Sequence, residues 1–305
     1  MPYPIESKIV IAVSSSALFN LEESDEIFRR EGERSYREWM GRNKDVPLMP
    51  GNAFHFIRRF LSLNQGYPKS QGPAEVILLS RNDPEAGLRV FNSILEYGLE
   101  IGRAAFLDGG SPYPYITAFG ASLFLSANPQ DVHSAIAAGL PAGLILSPGF
   151  AEDEEGELRI AFDFDGVIAG DDAEKVYRGP GGLEAFLDSE KRNAALPLEI
   201  GPMKDFFSKL ATLQETQRQG GFQAPTRLKT AIVTARNAPA HERVINTLKS
   251  WGISTDEIFF LGGIEKSRIL AVYKPHLFFD DQLAHIAGAA PLAACVHVPF
   301  GVANN

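Results

Sequence analysis

One pattern of residues occurs twice along this chain of 305 residues, and it restricts the possible folds more than any single motif. Arg89-Val90-Phe91-Asn92 corresponds to Arg243-Val244-Ile245-Asn246, and the same offset carries Gly98 to Gly252. Many ordered matches with few gaps indicate an internal duplication. Each copy consists of short apolar runs that alternate with helical patterns, which is typical of α/β units with a parallel sheet. We therefore predict an α/β protein built of two related Rossmann-like halves.

An acidic segment separates the two copies. Residues 152–157 read Glu-Asp-Glu-Glu-Gly-Glu and interrupt the apolar pattern, as a connection between domains does. A chain of this length suits two ordinary domains. The sequence therefore predicts one domain over residues 1–150 and a second over residues 151–305.

Composition argues against several classes of protein. The net charge is −9 and there is no long basic run, so neither nucleic acid nor an anionic membrane is an expected partner. No apolar run reaches the roughly 18 residues of a transmembrane helix. Cys295 is the only cysteine, which excludes an intrachain disulfide and favours the reducing cytoplasm. No Gly-x-Gly-x-x-Gly follows a predicted strand, which disfavours an NAD-dependent oxidoreductase.

The second copy has two acidic residues directly after its first predicted strand. Ile160 to Phe162 predict the end of a buried strand, and Asp163, Asp165 and Gly166 follow. Because side chains alternate along a strand, both carboxylates leave on one side, into the crevice at the carboxyl end of a parallel sheet. Two like charges this close are costly unless a cation or a shared proton relieves them. The pattern favours a Mg²⁺ site with a nucleophilic and an acid–base carboxylate, and the alternative is a solvated turn.

Charged residues distinguish the second copy from the first. Where the second copy has its two strand-end acids, the first has Ser14 and Ser16, and it has Pro112 in place of the lysine. The charged residues without a charged counterpart are Asp163, Asp165, Lys266, Asp280 and Asp281. The apolar framework is kept while this set is missing, so its members are expected to act together. The first half is accordingly predicted to be degenerate and non-catalytic, although its serine turn offers hydroxyls to an anion.

Four strand ends of the second half are predicted to converge on one crevice. Thr234 ends the second strand and precedes a helix, whose N-terminal amides favour an anion. Lys266 follows Gly262-Gly263, and Asp280 and Asp281 end the fourth strand. Carboxylates, Mg²⁺, a hydroxyl and an ammonium group suit a phosphoryl group, whose transfer needs mainly positioning and charge neutralisation.

These motifs resemble those of the haloacid dehalogenase-like phosphatases. They are Asp-Phe-Asp-Gly-Val at 163–167, Val-Thr-Ala-Arg at 233–236, a lysine at 266 and Phe-Phe-Asp-Asp at 278–281. With Ala12–Asn20, Gly110-Ser111-Pro112 and His297-Val298-Pro299, the set is similar to the type I cytosolic 5′-nucleotidases over nearly the whole chain. Phe164 and Gly166 differ from the Gly and Ala of the animal enzymes, which bears on nucleotide preference and not on the chemistry.

The resemblance implies Mg²⁺-dependent hydrolysis of nucleoside 5′-monophosphates, AMP among them, through an aspartyl-phosphate. It implies that Asp163 is the nucleophile, that Asp165 is the acid and base, and that Lys266 acts on the phosphoryl group together with Thr234 and Ala235. The implied metal-binding residues are Asp163, Asp165, Asp280 and Asp281. This superfamily inserts a cap between its first two motifs, here at about residues 168–226, and the residues that read the base are expected there.

Two other functions remain open at this stage. A phosphatase for sugar phosphates or other small monoesters would keep every motif and differ only in the cap. A nucleotide-binding regulator with an idle site would belong to another class, but the intact acid set argues against it. The chain is also compatible with a homo-oligomer.

Several further residues are predicted to be structural. Arg236 recurs as Arg81 in the copy without acids, which favours a role in the turn, although contact with substrate stays open. Phe206 and Phe207 are expected in the core. His285 has no partner at metal-ligand spacing, so packing or exposure is expected for it.

Overall fold

The computed structural model describes residues 3–68, 71–148, 156–220 and 225–304. The chain divides into two compact units, Met1–Glu152 and Asp153–Asn305. The predicted boundary between residues 150 and 151 lies outside the described residues. Both units combine helices with parallel strands, so the predicted α/β class is confirmed. Within the described residues, no helix is both long enough and apolar enough to cross a membrane.

The described residues of the first unit form a five-stranded parallel sheet with helices between the strands. The strands are β1 (Ile9–Val13), β2 (Ala74–Ser80), β3 (Arg103–Phe106), β4 (Leu123–Ser126) and β5 (Ala142–Ile145). The helices are α1 (Ser15–Leu18), α2 (Glu22–Glu31), α3 (Glu33–Arg42), α4 (Phe54–Leu61), α5 (Pro84–Glu96), α6 (Pro114–Ala118) and α7 (Pro129–Ala137). The strand order is β3-β2-β1-β4-β5. Every residue of the central strand β1 is buried, as expected of a parallel strand covered on both faces.

The described residues of the second unit form a sheet of the same kind. Its strands are β6 (Glu157–Phe162), β7 (Arg227–Thr234), β8 (Glu257–Phe260), β9 (Leu277–Asp280) and β10 (Ala294–His297). Its helices are α8 (Asp172–Arg178), α9 (Gly182–Arg192), α10 (Lys204–Arg218), α11 (His241–Ser250), α12 (Lys266–Tyr273) and α13 (Leu283–Ala289). The strand order is β10-β9-β6-β7-β8, and every pair is parallel.

Aromatic packing fixes the position of β6 against its neighbours. The rings of Phe162 and Phe279 stack, with centroids 4.8 Å apart and planes 3° from parallel. Phe206 and Phe207 of α10 pack on Phe162 and are fully buried, which confirms the prediction that they belong to the core. Buried aromatic pairs of this kind contribute about 0.5–1.5 kcal/mol each beyond the area they remove from water. The packing therefore holds the carboxyl ends of β6 and β9 side by side.

Several hydrogen bonds recur in the two units at equivalent positions. The Leu48 amide donates to Ser93 Oγ at 2.9 Å, and the Leu198 amide donates to Thr247 Oγ1 at 3.1 Å. Asn92 Nδ2 donates to the carbonyl oxygen of Lys44, and Asn246 Nδ2 donates to that of Ala194, both at 2.9 Å. The offsets that relate the two copies of the sequence also relate these bonds.

Local sequence signals predicted some element ends and missed others. Pro84 opens α5, a position that suits proline, with the Asp83 carboxylate accepting from the first-turn amides at 2.8 and 3.1 Å. Pro239, in the equivalent turn of the second unit, does not open a helix, because α11 begins at His241. The pattern did not predict β5 or α9. A four-residue strand and a helix with few apolar residues both depend on tertiary packing more than on local propensity.

Candidate active site

A lysine lies between two acidic residues at the carboxyl ends of β6 and β9. The strand register pairs Phe162 with Phe279, and the Asp163 amide donates to the Phe279 carbonyl oxygen at 2.8 Å. Lys266, the first residue of α12, places its Nζ 2.6 Å from Asp163 Oδ2 and 2.7 Å from Asp280 Oδ2. All three side chains are buried. The structure thus brings together three of the charged residues that the sequence singled out.

Burial dominates the electrostatics of this group. It raises the pKa of Asp163 to about 7, against the opposing pull of Lys266 and with added repulsion from Asp280. Burial alone would lower the pKa of Lys266, but Asp163 and Asp280 together hold it above its ordinary value. Burial also works against ionised Asp280, yet Lys266 and His285 keep the pKa of that carboxyl below its usual range. One cation therefore serves two carboxylates.

Asp281 adds a third carboxylate to the same buried region. Burial, followed by repulsion from Asp163 and Asp280, raises its pKa to about 8. Its Oδ1 is buried and has no hydrogen-bond partner within the described residues. Gly166 lies against this carboxylate with φ +73°, and a Cβ there would be 2.7 Å from Asp281 Cγ. In this chain, glycine at 166 thus suits both the backbone conformation and the small space beside Asp281.

The donor set fits a divalent cation. Ligand atoms of Asp163, Asp280 and His285 lie within 4.8 Å of one another. His285 Nδ1 is 3.1 Å from Asp280 Oδ1, so the expectation that this histidine only packs or faces solvent was wrong. Carboxylate oxygens are the ligands that hard cations prefer, and the unpartnered oxygen of Asp281 is a further acceptor nearby. These residues could hold a metal ion that offsets their crowded negative charge.

Asp165 is paired with Arg236 rather than with the lysine. Arg236 Nε donates to Asp165 Oδ2 and Nη2 donates to Oδ1, both at 2.7 Å, as a bidentate fork. Arg236 is buried, and the structure thus gives it a partner in the site beyond the turn role predicted for it. Both oxygens of Asp165 are engaged, so its carboxylate could reach a metal only if this pair opened.

Arg236 has a second acidic partner that the sequence did not indicate. Its Nη1 donates to Glu190 Oε2, and Arg243 Nη1 donates to Glu190 Oε1 at 2.7 Å. Burial alone would lower the pKa of Arg236, but Asp165 and Glu190 raise it above its usual value. Glu190 lies on α9, in a segment that carried no motif.

Two predicted phosphate-binding residues lie at the carboxyl end of β7. Thr234 is buried, and its Oγ1 accepts a hydrogen bond from the Arg236 amide at 3.2 Å. Ala235 lines the cleft that also contains Asp163 and Asp165. The carboxyl ends of β6 and β7 thus contribute to one cleft, as expected for a parallel sheet.

The cleft has a volume of about 390 Å³ and two unlike sides. One side is polar and includes Asp163, Asp165, Arg236 and His285. The other side comes from α8 and α9 and consists of Ala173, Glu174, Tyr177, Leu183 and Phe186. The rings of Tyr177 and Phe186 meet edge to face with centroids 6.2 Å apart. The volume falls in the range of small-molecule sites, with an apolar flank beside the charged residues.

Comparison with known proteins identifies the family. The model of the 5′-nucleotidase family matches residues 1–305. The chain belongs to the 5′-nucleotidase family. It is similar to human cytosolic 5′-nucleotidase 1B, with 35% identity over 309 residues that cover 98% of this chain and 50% of that protein. The chain therefore spans about half the length of this relative. No solved structure gives a significant match.

Three residues in or next to the candidate site of this 5′-nucleotidase-family chain were not identified from the sequence as site residues. Arg236 was visible in the Val-Thr-Ala-Arg motif, but its recurrence as Arg81 pointed to the turn. His285 lies five residues after Asp280, on the first turn of α13, and this short spacing was a usable signal. Glu190 offered no signal, because its partners are distant along the chain.

Proposed function

We propose that this chain hydrolyses nucleoside 5′-monophosphates to nucleosides and inorganic phosphate. The main support is the lysine-bridged pair of buried carboxylates, Asp163 and Asp280, of which Asp163 lines the cleft, in a chain of the 5′-nucleotidase family. A buried carboxylate beside a fixed cation suits a nucleophile that receives a phosphoryl group. The substrate class also agrees with the name of the human relative, a cytosolic 5′-nucleotidase.

We further propose that the site uses Mg²⁺. Asp163, Asp280 and Asp281 would hold the ion, with Asp165 as a further predicted ligand and His285 beside them. When bound, Mg²⁺ neutralises charge on the carboxylates and on the phosphoryl oxygens. The unpartnered buried oxygen of Asp281 supports this assignment, because such an oxygen is costly without a partner.

In the first step, an oxygen of Asp163 attacks phosphorus. The bond between phosphorus and the 5′-oxygen breaks, and a proton moves from the carboxyl of Asp165 to that oxygen. For this step one bond from Arg236 to Asp165 is given up, so that the protonated oxygen faces the leaving group. Lys266, the hydroxyl of Thr234 and the amide of Ala235 hold the phosphoryl oxygens during the transfer. The products of this step are the nucleoside and an aspartyl-phosphate at Asp163.

In the second step, water attacks phosphorus and gives its proton to Asp165. The bond between phosphorus and the Asp163 oxygen breaks, inorganic phosphate leaves, and both carboxyl groups return to their starting forms. The net reaction consumes one nucleoside monophosphate and one water. Asp165 is then protonated as at the start of the cycle, and the remaining bond from Arg236 orients it toward the next leaving oxygen.

The apolar side of the cleft is the proposed site for the base. Tyr177 and Phe186 present aromatic surface next to the catalytic acids, and Tyr177 is 48% exposed. Aromatic side chains stack on nucleobases with little dependence on sequence or base identity. This assignment gives α8 and α9, between residues 168 and 226, the role of a cap.

The two units are proposed to descend from one duplicated haloacid dehalogenase-like unit, with the first half non-catalytic. The recurring hydrogen bonds of Leu48 and Leu198, and of Asn92 and Asn246, support this origin. We also infer a cytoplasmic location, in keeping with a sequence that has a single cysteine and with the cytosolic relative.

The test is phosphate release from a panel of nucleoside 5′-monophosphates and sugar phosphates, with Mg²⁺ and with EDTA. We expect turnover of the nucleotides, none in EDTA, and none for Asp163→Asn, whose amide matches the carboxylate in shape but cannot attack phosphorus. Faster turnover of sugar phosphates would assign the cleft to that class instead. Activity in a contamination-free Asp163→Asn preparation would refute the nucleophile.

A further inference from the structure

Glu190 is a buried carboxylate that the proposed reaction does not use. Only 1% of the residue is exposed, although it lies on α9 next to the cleft wall. Its two oxygens accept from different arginines, Arg236 and Arg243. A buried carboxylate is costly unless it is paired and hydrogen-bonded, so a glutamate in this position calls for a specific reason.

Arg236 connects Glu190 to Asp165. The guanidinium is planar, and its donors form a rigid fork. When Nη1 is held by Glu190, the direction of Nε and Nη2 is fixed as well, and these two atoms bind Asp165 at 2.7 Å. The chain of contacts therefore runs from the helix α9 to the carboxylate that faces the cleft.

The first unit shows the same frame without this carboxylate. The offset that carries Leu48 to Leu198 carries Met40 to Glu190, and Met40 is fully buried. Arg89, the counterpart of Arg243, approaches the sulfur of Met40 at 3.9 Å. A methionine thus fills this position in the unit that lacks the acidic set, so packing alone does not require a carboxylate there.

Two pairs of equivalent arginines differ in how well their contacts match between the units. Arg89 Nε donates to the carbonyl oxygen of Val46 and Arg243 Nε donates to that of Leu196, both at 2.9 Å, so this anchor is common to both. Arg81, the counterpart of Arg236, binds Asp131 on α7 instead, with its Nε 3.0 Å from each carboxylate oxygen. The shared fold therefore does not fix the direction of the arginine that follows the second strand of each unit. The acidic residues that it binds determine its direction.

We propose that Glu190 is a positioning residue that aims Arg236 at Asp165 and so keeps Asp165 directed toward the leaving oxygen of the substrate. This role rests on the proposed function, in which Asp165 protonates that oxygen. It predicts that loss of Glu190 slows the step that needs a proton and spares the binding of substrate.

The test compares two esters in single-turnover experiments with enzyme in excess. The leaving group of AMP is the 5′-alkoxide of adenosine, which needs a proton. The leaving group of p-nitrophenyl phosphate is a stable phenolate, which does not. Glu190→Met copies the residue of the first unit, and Glu190→Gln is the isosteric second variant should the first fail to fold. We expect release of adenosine to slow by about 10-fold or more and release of p-nitrophenol by less than about 3-fold, on the scale of acid catalysis. The KM for AMP should stay within about 2-fold, since uniform binding is unaffected.

A double-mutant cycle separates positioning from damage to the fold. In an Asp165→Asn background, Glu190→Met should cause no further loss, because both changes act on the same proton transfer. Asp131→Asn is the matched control: it weakens the fork that Arg81 forms in the equivalent turn of the first unit, and it should leave the ratio of the two rates unchanged.

Equal slowing of both esters, full additivity with Asp165→Asn, or an unchanged rate for AMP would each overturn the role of Glu190. A change of the ratio in Asp131→Asn would overturn it as well. A wild-type protein that hydrolyses neither ester would refute the proposed function itself, and this role would fall with it.

Discussion

At the scale of single residues, the charge of Lys266 holds two buried carboxylates at a separation they would otherwise resist. Its Nζ lies 2.6 Å from Asp163 and 2.7 Å from Asp280. Removing one partner from a buried ionic group typically costs about 3–5 kcal/mol, because the remaining charges lose their compensation. The same ammonium is the proposed donor to the transferring phosphoryl group, so Lys266 is expected to contribute to both stability and catalysis.

Lys266→Met is therefore expected to change both properties. Turnover measured as kcat/KM should fall by about 100-fold or more, the scale of losing one preorganised charged donor. The melting temperature without metal should fall. Added Mg²⁺ should raise it more than in the wild type, because the ion then offsets the repulsion between Asp163 and Asp280 that Lys266 no longer compensates. Calorimetry with and without Mg²⁺ measures this, and an unchanged kcat/KM would show that another cation performs the role.

At the scale of elements, the turn after β6 and the helix α8 both contribute residues to the cleft. Gly166 lets the turn pass beside the carboxylate of Asp281, and α8 supplies the half-exposed ring of Tyr177. Each depends on how one element approaches another.

Gly166→Ala should impair the site through the contact with Asp281. The new Cβ would lie 2.7 Å from the carboxylate carbon, so that side chain must shift. We expect kcat/KM to fall by about 10- to 100-fold, as for small misplacements of catalytic groups. Gly252→Ala is the control, because that glycine has φ +67° but nothing within 4 Å of an added Cβ. Equal losses in the two variants would attribute the effect to backbone strain alone.

Tyr177→Leu should weaken the binding of nucleotides and leave small phosphate esters unaffected. Stacking of a base on an aromatic side chain contributes about 1–3 kcal/mol. Because Tyr177 is half exposed, we take the lower end and expect the KM for AMP to rise by roughly 5- to 10-fold. Ribose 5-phosphate has no base, so its KM should not change, and Tyr177→Phe should behave like the wild type. A parallel rise for both substrates would contradict the base site.

At the scale of the whole molecule, the two units share one arrangement of strands and helices but carry different polar residues at the strand ends. In the first unit, Ser14 caps α1 by accepting from the Ala17 amide at 3.1 Å, and its Oγ lies 3.2 Å from Ser16 Oγ. Ser16 borders a cleft that also contains the acidic residues Glu22 and Asp25. Acidic walls repel an anion, which disfavours a nucleotide site at this serine turn.

Ser14→Ala combined with Ser16→Ala is therefore expected to leave Mg²⁺-dependent turnover unchanged, with or without added ADP or ATP. Loss of the helix cap should lower the free energy of unfolding by about 1 kcal/mol. Steady-state assays and thermal unfolding check the two statements. A response to ADP or ATP that is present in the wild type and absent in the double variant would instead assign a regulatory site to the first unit.

The sequence by itself predicted the α/β class and singled out the charged residues at the strand ends. Both depend on local signals: the apolar period of a strand and the alternation of its side chains determine where Asp163 and Asp280 emerge. Comparison of the two copies then distinguished the apolar residues that both copies keep from the charged residues that only the second copy has. Buried strands need apolar residues, whereas an acid at a strand end is not required for packing.

Only the tertiary structure decided which carboxylate each arginine binds. Arg81 and Arg236 stand in the same Arg-Asn-x-Pro turn, yet Arg81 binds Asp131 and Arg236 binds Asp165, 71 residues away in the chain. An arginine side chain has many rotamers of similar energy, and its turn does not select among them. The partner that packing brings within reach selects the rotamer, and Glu190, 46 residues from Arg236, is such a partner. Contacts of this kind depend on distances through space that the order of residues does not contain.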